Sequence, residues 1–178
     1  HTVIQPMFEP AAVMNAVEKY SPTVTVMVPT MIGLTMAHPE FRPSGLGSFT
    51  DLVYGASPIS EDVLALSVKT FKCKFWQAYG LTETTGAVIN LPPADHDPDG
   101  PNKHRLRSCG LPGPGVGVRV VDAATGNDMP TGEVGEDRER LPRRGHRSRG
   151  IWRPRNPRDG RNRSRKRWIG AFDRQQNQ

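Results

Sequence analysis

Short apolar runs alternating with helical stretches limit the fold of this chain more than any other feature. The runs occupy residues 2–5, 23–28, 52–54 and 73–76. The second, Thr23-Val-Thr-Val-Met-Val28, is rich in β-branched residues that suit a pleated sheet. Between the first two, Glu9-Pro10 opens a helix with proline at the first helical position, and Ser21-Pro22 closes it. Val13, Val17 and Tyr20 fall at i, i+4 and i+7, which predicts one buried face. Pro29-Thr30 opens a second helix through Met31, Ile32, Leu34 and Met36, and His38-Pro39 ends it. A Pro/Gly/Ser loop follows over residues 40–50. Ser60 is placed to cap a third helix, with Glu61 and Asp62 at its positive end and Leu64, Val68 and Phe71 as its inner face. Strand, helix, strand, helix, strand, helix, strand predicts a parallel sheet covered by helices. Such sheets bind ligands outside the carboxyl ends of their strands.

Two turns leave strands at that end. One is Gly55-Ala56-Ser57-Pro58. The other is the run Gln77-Ala-Tyr-Gly-Leu-Thr-Glu-Thr-Thr-Gly86, read as a loop after the fourth strand. It brings together an aromatic ring, glycines, several hydroxyls and one carboxylate. An aromatic face can stack on a flat base, and glycine lets backbone approach a ligand closely. Hydroxyls can bind phosphate oxygens, and a carboxylate can hold magnesium beside them. Either turn alone has the look of ordinary strand punctuation; together they point to one crevice.

After Asn90-Leu-Pro-Pro93 the texture changes. Residues 94–107 read as a polar loop and residues 110–115 as a stiff Gly/Pro connector. Val116, Val118 and Val120 then alternate with Gly117, Arg119 and Val121, and Asp122-Ala-Ala-Thr-Gly-Asn127 turns the chain toward a return strand that starts near Pro130. The expected organisation is therefore an α/β unit over residues 1–110, the start of a small β subdomain over residues 111–136, and a tail over residues 137–178. Charge divides at the same place. Residues 1–136 carry a net −5 and residues 137–178 a net +11, giving the overall +6. Two cysteines, Cys73 and Cys109, set no disulfide framework and no metal pair. No secretory signal pattern or membrane-length apolar run occurs, which favours a cytoplasmic body, with peripheral membrane contact left open. His1 in place of an initiator methionine is read as a start inside a longer protein.

With these residues assembled, the sequence resembles the adenylate-forming (AMP-binding) superfamily, in its acyl-CoA synthetase or fatty-acid–CoA ligase branch. The resemblance covers residues 1–136. It rests on Val28-Pro-Thr-Met31, Gly55-Ala-Ser-Pro58, Tyr79-Gly-Leu-Thr-Glu83, Gly110-Leu-Pro-Gly-Pro-Gly115 and Gly132-Glu-Val-Gly-Glu136, all in the family's order. The implied fold is part of the large α/β domain of such an enzyme. The implied reaction has two steps: a carboxylate and ATP give acyl-AMP and pyrophosphate, and CoA then displaces AMP. ATP, Mg2+, CoA as co-substrate and a fatty or other carboxylic acid are the implied cofactors and partners. By the same resemblance Gly55, Ala56 and Ser57, with Gln77, Ala78, Tyr79, Gly80 and Thr82, would hold the nucleotide. Tyr79 would stack on adenine. Thr82 and Glu83 would serve the chemical step, Thr82 at the α-phosphate and Glu83 as the magnesium ligand. Val28, Pro29, Met31, Gly80 and Leu81 would line the acyl pocket, although such apolar residues are more often plain core.

The sequence also departs from the family. The Ser/Thr/Gly-rich phosphate loop that lies upstream of these motifs is not found. Nor are the ribose-binding aspartate or the lysine-bearing C-terminal domain expected after Glu136, so no role passes to Asp159, Lys166 or Asp173. The chain by itself is therefore expected to be inactive and to expose a sheet edge. Residues 137–178 are Arg-rich and poor in aliphatics, which predicts disorder. Arg with Trp152 and Trp168 is one way to bind nucleic acid. Out-of-frame translation of a GC-rich gene is the other reading, and the abrupt switch inside a recognisable strand favours it. A relative that loads a carrier protein instead of CoA stays open as well.

Overall fold

The computed structural model describes residues 1–130, Glu133, Gly135 and the backbone of residues 136–140. Its first sheet has five strands in sequence order: β1 (Val24–Met27), β2 (Asp51–Gly55), β3 (Lys74–Leu81), β4 (Gly86–Leu91) and β5 (Leu111–Pro112). β1, β2 and β3 are parallel, joined by the helices α2 (Pro29–Ala37) and α3 (Glu61–Phe71), while α1 (Pro10–Tyr20) precedes β1.

The helices start where local chemistry dictates. Pro10 and Pro29 each occupy the first helical turn, where a missing N–H costs nothing. The Val63 N–H donates to the Ser60 hydroxyl at 3.4 Å, and Glu61 and Asp62 sit in the first turn of α3. α1 and α3 end on left-handed Ser21 and Lys72, whose N–H groups return to the Val17 and Val68 carbonyls. The core lies between helices and sheet. It joins Val17, Met27, Ile32, Leu52, Tyr54, Leu64, Phe71 and Phe75 with Leu46, Phe49, Ile59 and Leu106. Val17 and Met27 keep 4 % of their surface and the rest of the first group at most 3 %, so each contributes about 1.5–3 kcal/mol of apolar burial.

The structure corrects the sequence reading in several places. Residues 2–5 form no strand; Val3 and Ile4 are exposed, and strand propensity without a neighbouring strand leaves no ladder to join. Tyr20 is 54 % exposed rather than part of the buried face of α1, because the helix ends there and the chain turns at Ser21. The sheet is mixed, not parallel throughout: β4 runs antiparallel to β3, and β5 antiparallel to β4. The sequence placed Leu111-Pro112 in the second unit, but they belong to this sheet. What read as a loop over residues 77–86 is therefore mostly a β-hairpin, with a single 3-10 turn (Thr82–Thr84) at its tip. Among the described residues β1 and β5 are the edge strands of this sheet, and at β1 Val24 and Val26 are 56 % and 75 % exposed.

A second sheet pairs β6 (Gly117–Val121) with β7 (Glu136–Arg140) antiparallel. Val118 and Val121 are the buried positions of β6. β7 carries the backbone four residues past Glu136, where the sequence reading began the tail. The expectation of disorder otherwise falls on residues 141–178, outside the described residues. Among the described residues, no helix is long and apolar enough to cross a membrane.

Candidate functional site

The parallel arrangement sets the turns after β2 and β3 side by side. Gly55 pairs with Ala78 at the carboxyl ends of the two strands. A Cβ on Gly55 would fall 2.1 Å from the Ala78 carbonyl oxygen, so the two backbones are too close there for any side chain. Ala56 follows with φ at 68°, a left-handed turn, and Ala56, Ser57 and Pro58 are all exposed. Gly80 is confined in the same way, its Cβ position lying 1.9 Å from the Gly86 oxygen across the hairpin. Both glycines thus admit a neighbouring strand.

Tyr79 lies between them, one residue beyond the Gly55–Ala78 contact and just before an irregularity in the β3–β4 register. Its half-buried ring packs against the small cluster of Val88, Ile89, Cys109 and Val118. Gln77 and Ala78 are half-buried too, on opposite faces of the sheet. Gln77 reaches the buried Tyr54 hydroxyl at 3.4 Å, and Ala78 lies against Gly55.

The tip of the hairpin separates hydroxyls that look alike in sequence. The Thr84 hydroxyl accepts from the Leu81 N–H at 2.9 Å and lies 2.7 Å from the Gly86 oxygen. The Thr85 hydroxyl donates to the Thr84 carbonyl at 2.6 Å, and Thr85 takes a left-handed φ of 59°. These two residues hold the turn. Thr82 and Glu83 are exposed, and their side chains have no hydrogen-bond or ion-pair partner among the described residues. Leu81, beside them, is 54 % exposed.

The remaining acyl-side candidates divide. Val28 follows β1 as the N-cap of α2, and its carbonyl receives the Met31 and Ile32 N–H groups at 2.9 and 3.2 Å. Pro29 is buried, and Met31 packs against the main core. A cleft of about 860 Å³ lies between the N-terminal segment, α1 and β1; Met31 is in its lining, and none of residues 55–58 or 77–86 is.

No three His, Cys, Asp or Glu side chains converge among the described residues. One exposed carboxylate fits magnesium held jointly with phosphate oxygens and water, which is how this ion is usually bound, and does not fit an all-protein cage.

Sequence reasoning missed a buried polar chain below the site. His96 is 7 % exposed, with Nε2 2.9 Å from the Tyr54 hydroxyl and Nδ1 3.0 Å from the Pro92 carbonyl. Burial pulls its pKa down to about 4 and pushes that of Tyr54 up. Asp95 pairs with Arg105 beside it, and Arg107 reaches Glu61 at 2.7 Å, so residues 92–107 are fastened to α3 and the sheet. A lone histidine in a Pro/Asp-rich stretch carries no signal of this in sequence.

A sheet with its turns gathered at the carboxyl ends of β2 and β3 has the build of adenylate-forming enzymes. The amide bond synthetase McbA from Marinactinospora thermotolerans is one such solved structure. It superposes with a TM-score of 0.66 at 30 % identity, over 75 % of this chain and 26 % of that one. The chain belongs to the AMP-binding enzyme family, whose model matches residues 2–136. It is 39 % identical over 114 residues to the fatty acid–[acyl-carrier-protein] ligase ScoC of Streptomyces coeruleorubidus, covering 64 % of this chain and 21 % of that protein. It is 34 % identical over 134 residues to the medium/long-chain-fatty-acid–CoA ligase FadD8 of Mycobacterium tuberculosis, covering 75 % and 22 %. The chain thus spans about a fifth of the length of these relatives.

Proposed function

We propose that the turns after β2 and β3 form the adenine and α-phosphate side of an adenylation site, in an ATP-dependent enzyme that activates a fatty acid for transfer to a thiol. The observation that carries this is the pair Thr82 and Glu83. They are exposed and, among the described residues, without side-chain partners beside Tyr79, while Thr84 and Thr85 are held in the turn.

In this reading adenine stacks on the accessible side of Tyr79, along the backbone of Gly55, Ala56 and Ser57 and the strand from Gln77 to Gly80. The Thr82 hydroxyl donates to an α-phosphate oxygen, and Glu83 holds magnesium, which supplies charge neutralisation to the phosphates. A substrate carboxylate oxygen bonds to the α-phosphorus as the bond to pyrophosphate breaks. A thiol sulfur then bonds to the acyl carbon, and AMP leaves. The site residues act mainly by positioning and by neutralising phosphate charge. Val28, Gly80 and Leu81 are the acyl-side candidates free of core packing, since Pro29 and Met31 serve the core. CoA is the proposed acceptor and the cytoplasm the proposed setting. The ScoC match, at 39 % identity, supports a carrier protein as the second reading for the acceptor.

Because the chain spans about a fifth of these relatives, we infer that the 178 residues alone bind nucleotide without completing the reaction. Calorimetric titration with AMP and with MgATP tests the first part, and absence of binding refutes it. Pyrophosphate release from ATP and a fatty acid by the purified chain would refute the second.

A further inference from the structure

We propose that His96 is a positioning residue for the adenine site, acting through Tyr54 and Gln77 on the turns that follow β2 and β3. This rests on the reading of those turns as an adenine site.

The Pro92 carbonyl can only accept, so at 3.0 Å the His96 Nδ1 must carry the proton. A neutral imidazole protonated on Nδ1 has a bare Nε2, which must accept. The only group at hydrogen-bond distance from it among the described residues is the Tyr54 hydroxyl, at 2.9 Å, so Tyr54 donates to His96. Its one proton goes mainly to the nearer His96 Nε2, and the Gln77 Oε1, at 3.4 Å from the same hydroxyl, is a longer second acceptor. The result is a directed chain, Tyr54 to His96 to Pro92, with Gln77 Oε1 as a longer second acceptor beside the Tyr54 hydroxyl.

Its position gives it consequence. Tyr54 and Gln77 are register partners in β2 and β3, one residue before the Gly55–Ala78 contact. Tyr54 is fully buried, and its ring meets His96 edge-on at 5.6 Å between centroids. Phe75 meets the same imidazole at 6.1 Å, so the ring is fixed from two strands. The chain therefore ties the ends of β2 and β3 to residues 92–96 immediately below the bases of the two turns. Removing the acceptor would leave the buried hydroxyl only the long 3.4 Å contact to Gln77 Oε1, and the cheapest relief is a shift of Tyr54 toward Gln77, together with Gly55.

Three variants test this in the 178-residue chain: His96→Phe, which fills the space without an acceptor; His96→Gln, whose side-chain oxygen can accept from Tyr54; and Tyr54→Phe. AMP affinity is expected to fall about five- to tenfold in H96F and in Y54F, the worth of one buried hydrogen bond. The double variant H96F/Y54F is expected to lose no more than either alone, and H96Q to recover most of the loss. Unchanged affinity in H96F at lowered stability would reduce His96 to a packing residue and overturn the proposal. Two readouts need no nucleotide. Imidazole 15N spectra at neutral pH should show the Nδ1–H tautomer, and amide exchange at Ala78 and Tyr79 should quicken in H96F and slow again in H96Q. An Nε2–H tautomer, or exchange unaltered in H96F and Y54F, overturns the proposal even if H96Q is poorly folded. Wild-type chain that fails to bind AMP yet passes both readouts would refute the adenine site while leaving the positioning chain standing.

Discussion

Replacing Gly55 by alanine probes the contact on which the site geometry depends. The new Cβ would stand 2.1 Å from the Ala78 carbonyl oxygen, where ordinary contact begins at 3.4 Å. About 1.3 Å must be found between two strands whose normal spacing is about 4.8 Å. The obstacle is backbone, not the end of a flexible side chain, so the strands themselves must part at the carboxyl end of the ladder. Overpacking of this kind costs about 1–3 kcal/mol, and a broken ladder hydrogen bond adds about 1 kcal/mol. A loss of about 2–4 kcal/mol is expected. Gly33, inside α2, is the control: a Cβ there meets nothing within 4 Å. Gly33→Ala should stabilise by about 0.5–1 kcal/mol, the gain from alanine in a helix. Urea unfolding followed by far-UV circular dichroism reads both, with unchanged slope as the check that the unfolded reference is shared. Equal stabilities for the two variants would refute the claim that Gly55 is glycine because β3 leaves it no room.

Stability should also fall with acid through His96. Its folded pKa is held near 4, below the ordinary 6.5, so the unfolded chain binds its proton first. This contribution is fully present above pH 6.5 and is lost as pH falls from about 6.5 to about 4. The slope approaches about 1.4 kcal/mol per pH unit, for about 3 kcal/mol in all. Denaturation midpoints across that window should drop in wild type and flatten in His96→Phe; parallel profiles would contradict the assignment. Thr84→Ala should cost about 1–2 kcal/mol through the lost hairpin hydrogen bonds, while Thr82→Ala should stay within about 0.5 kcal/mol yet weaken nucleotide binding. Glu83→Gln should abolish the gain in ATP affinity brought by magnesium and leave AMP binding unchanged, measured by titration with and without the ion.

Local signals were readable where local chemistry decides structure. Pro10 and Pro29 at helix starts, Ser60 as a cap, and Leu64 and Phe71 on the inner face of α3 all follow from neighbours a few residues away. Strand assignments failed where pairing decides. Residues 2–5 have strand composition and no neighbouring strand. The hairpin of β3 and β4 depends on the Gly80–Gly86 approach, which no spacing rule in sequence announces. The site was legible as a set of residue types and not as a division of labour. Thr82 and Thr84 are the same residue two positions apart, and only the turn geometry frees one and engages the other. Gln77 was read as a nucleotide contact, and nothing in the sequence announced that its side chain also lies 3.4 Å from the Tyr54 hydroxyl. His96 was invisible because its partners are 4 and 42 positions away.

The central claim is that adenine binds where β2 and β3 end. Amide chemical-shift mapping of the 15N-labelled chain titrated with AMP tests it most directly. The expected result is saturable shifts concentrated at residues 55–57 and 79–82. Shifts confined to the cleft between α1 and β1, or none at millimolar AMP, would contradict it.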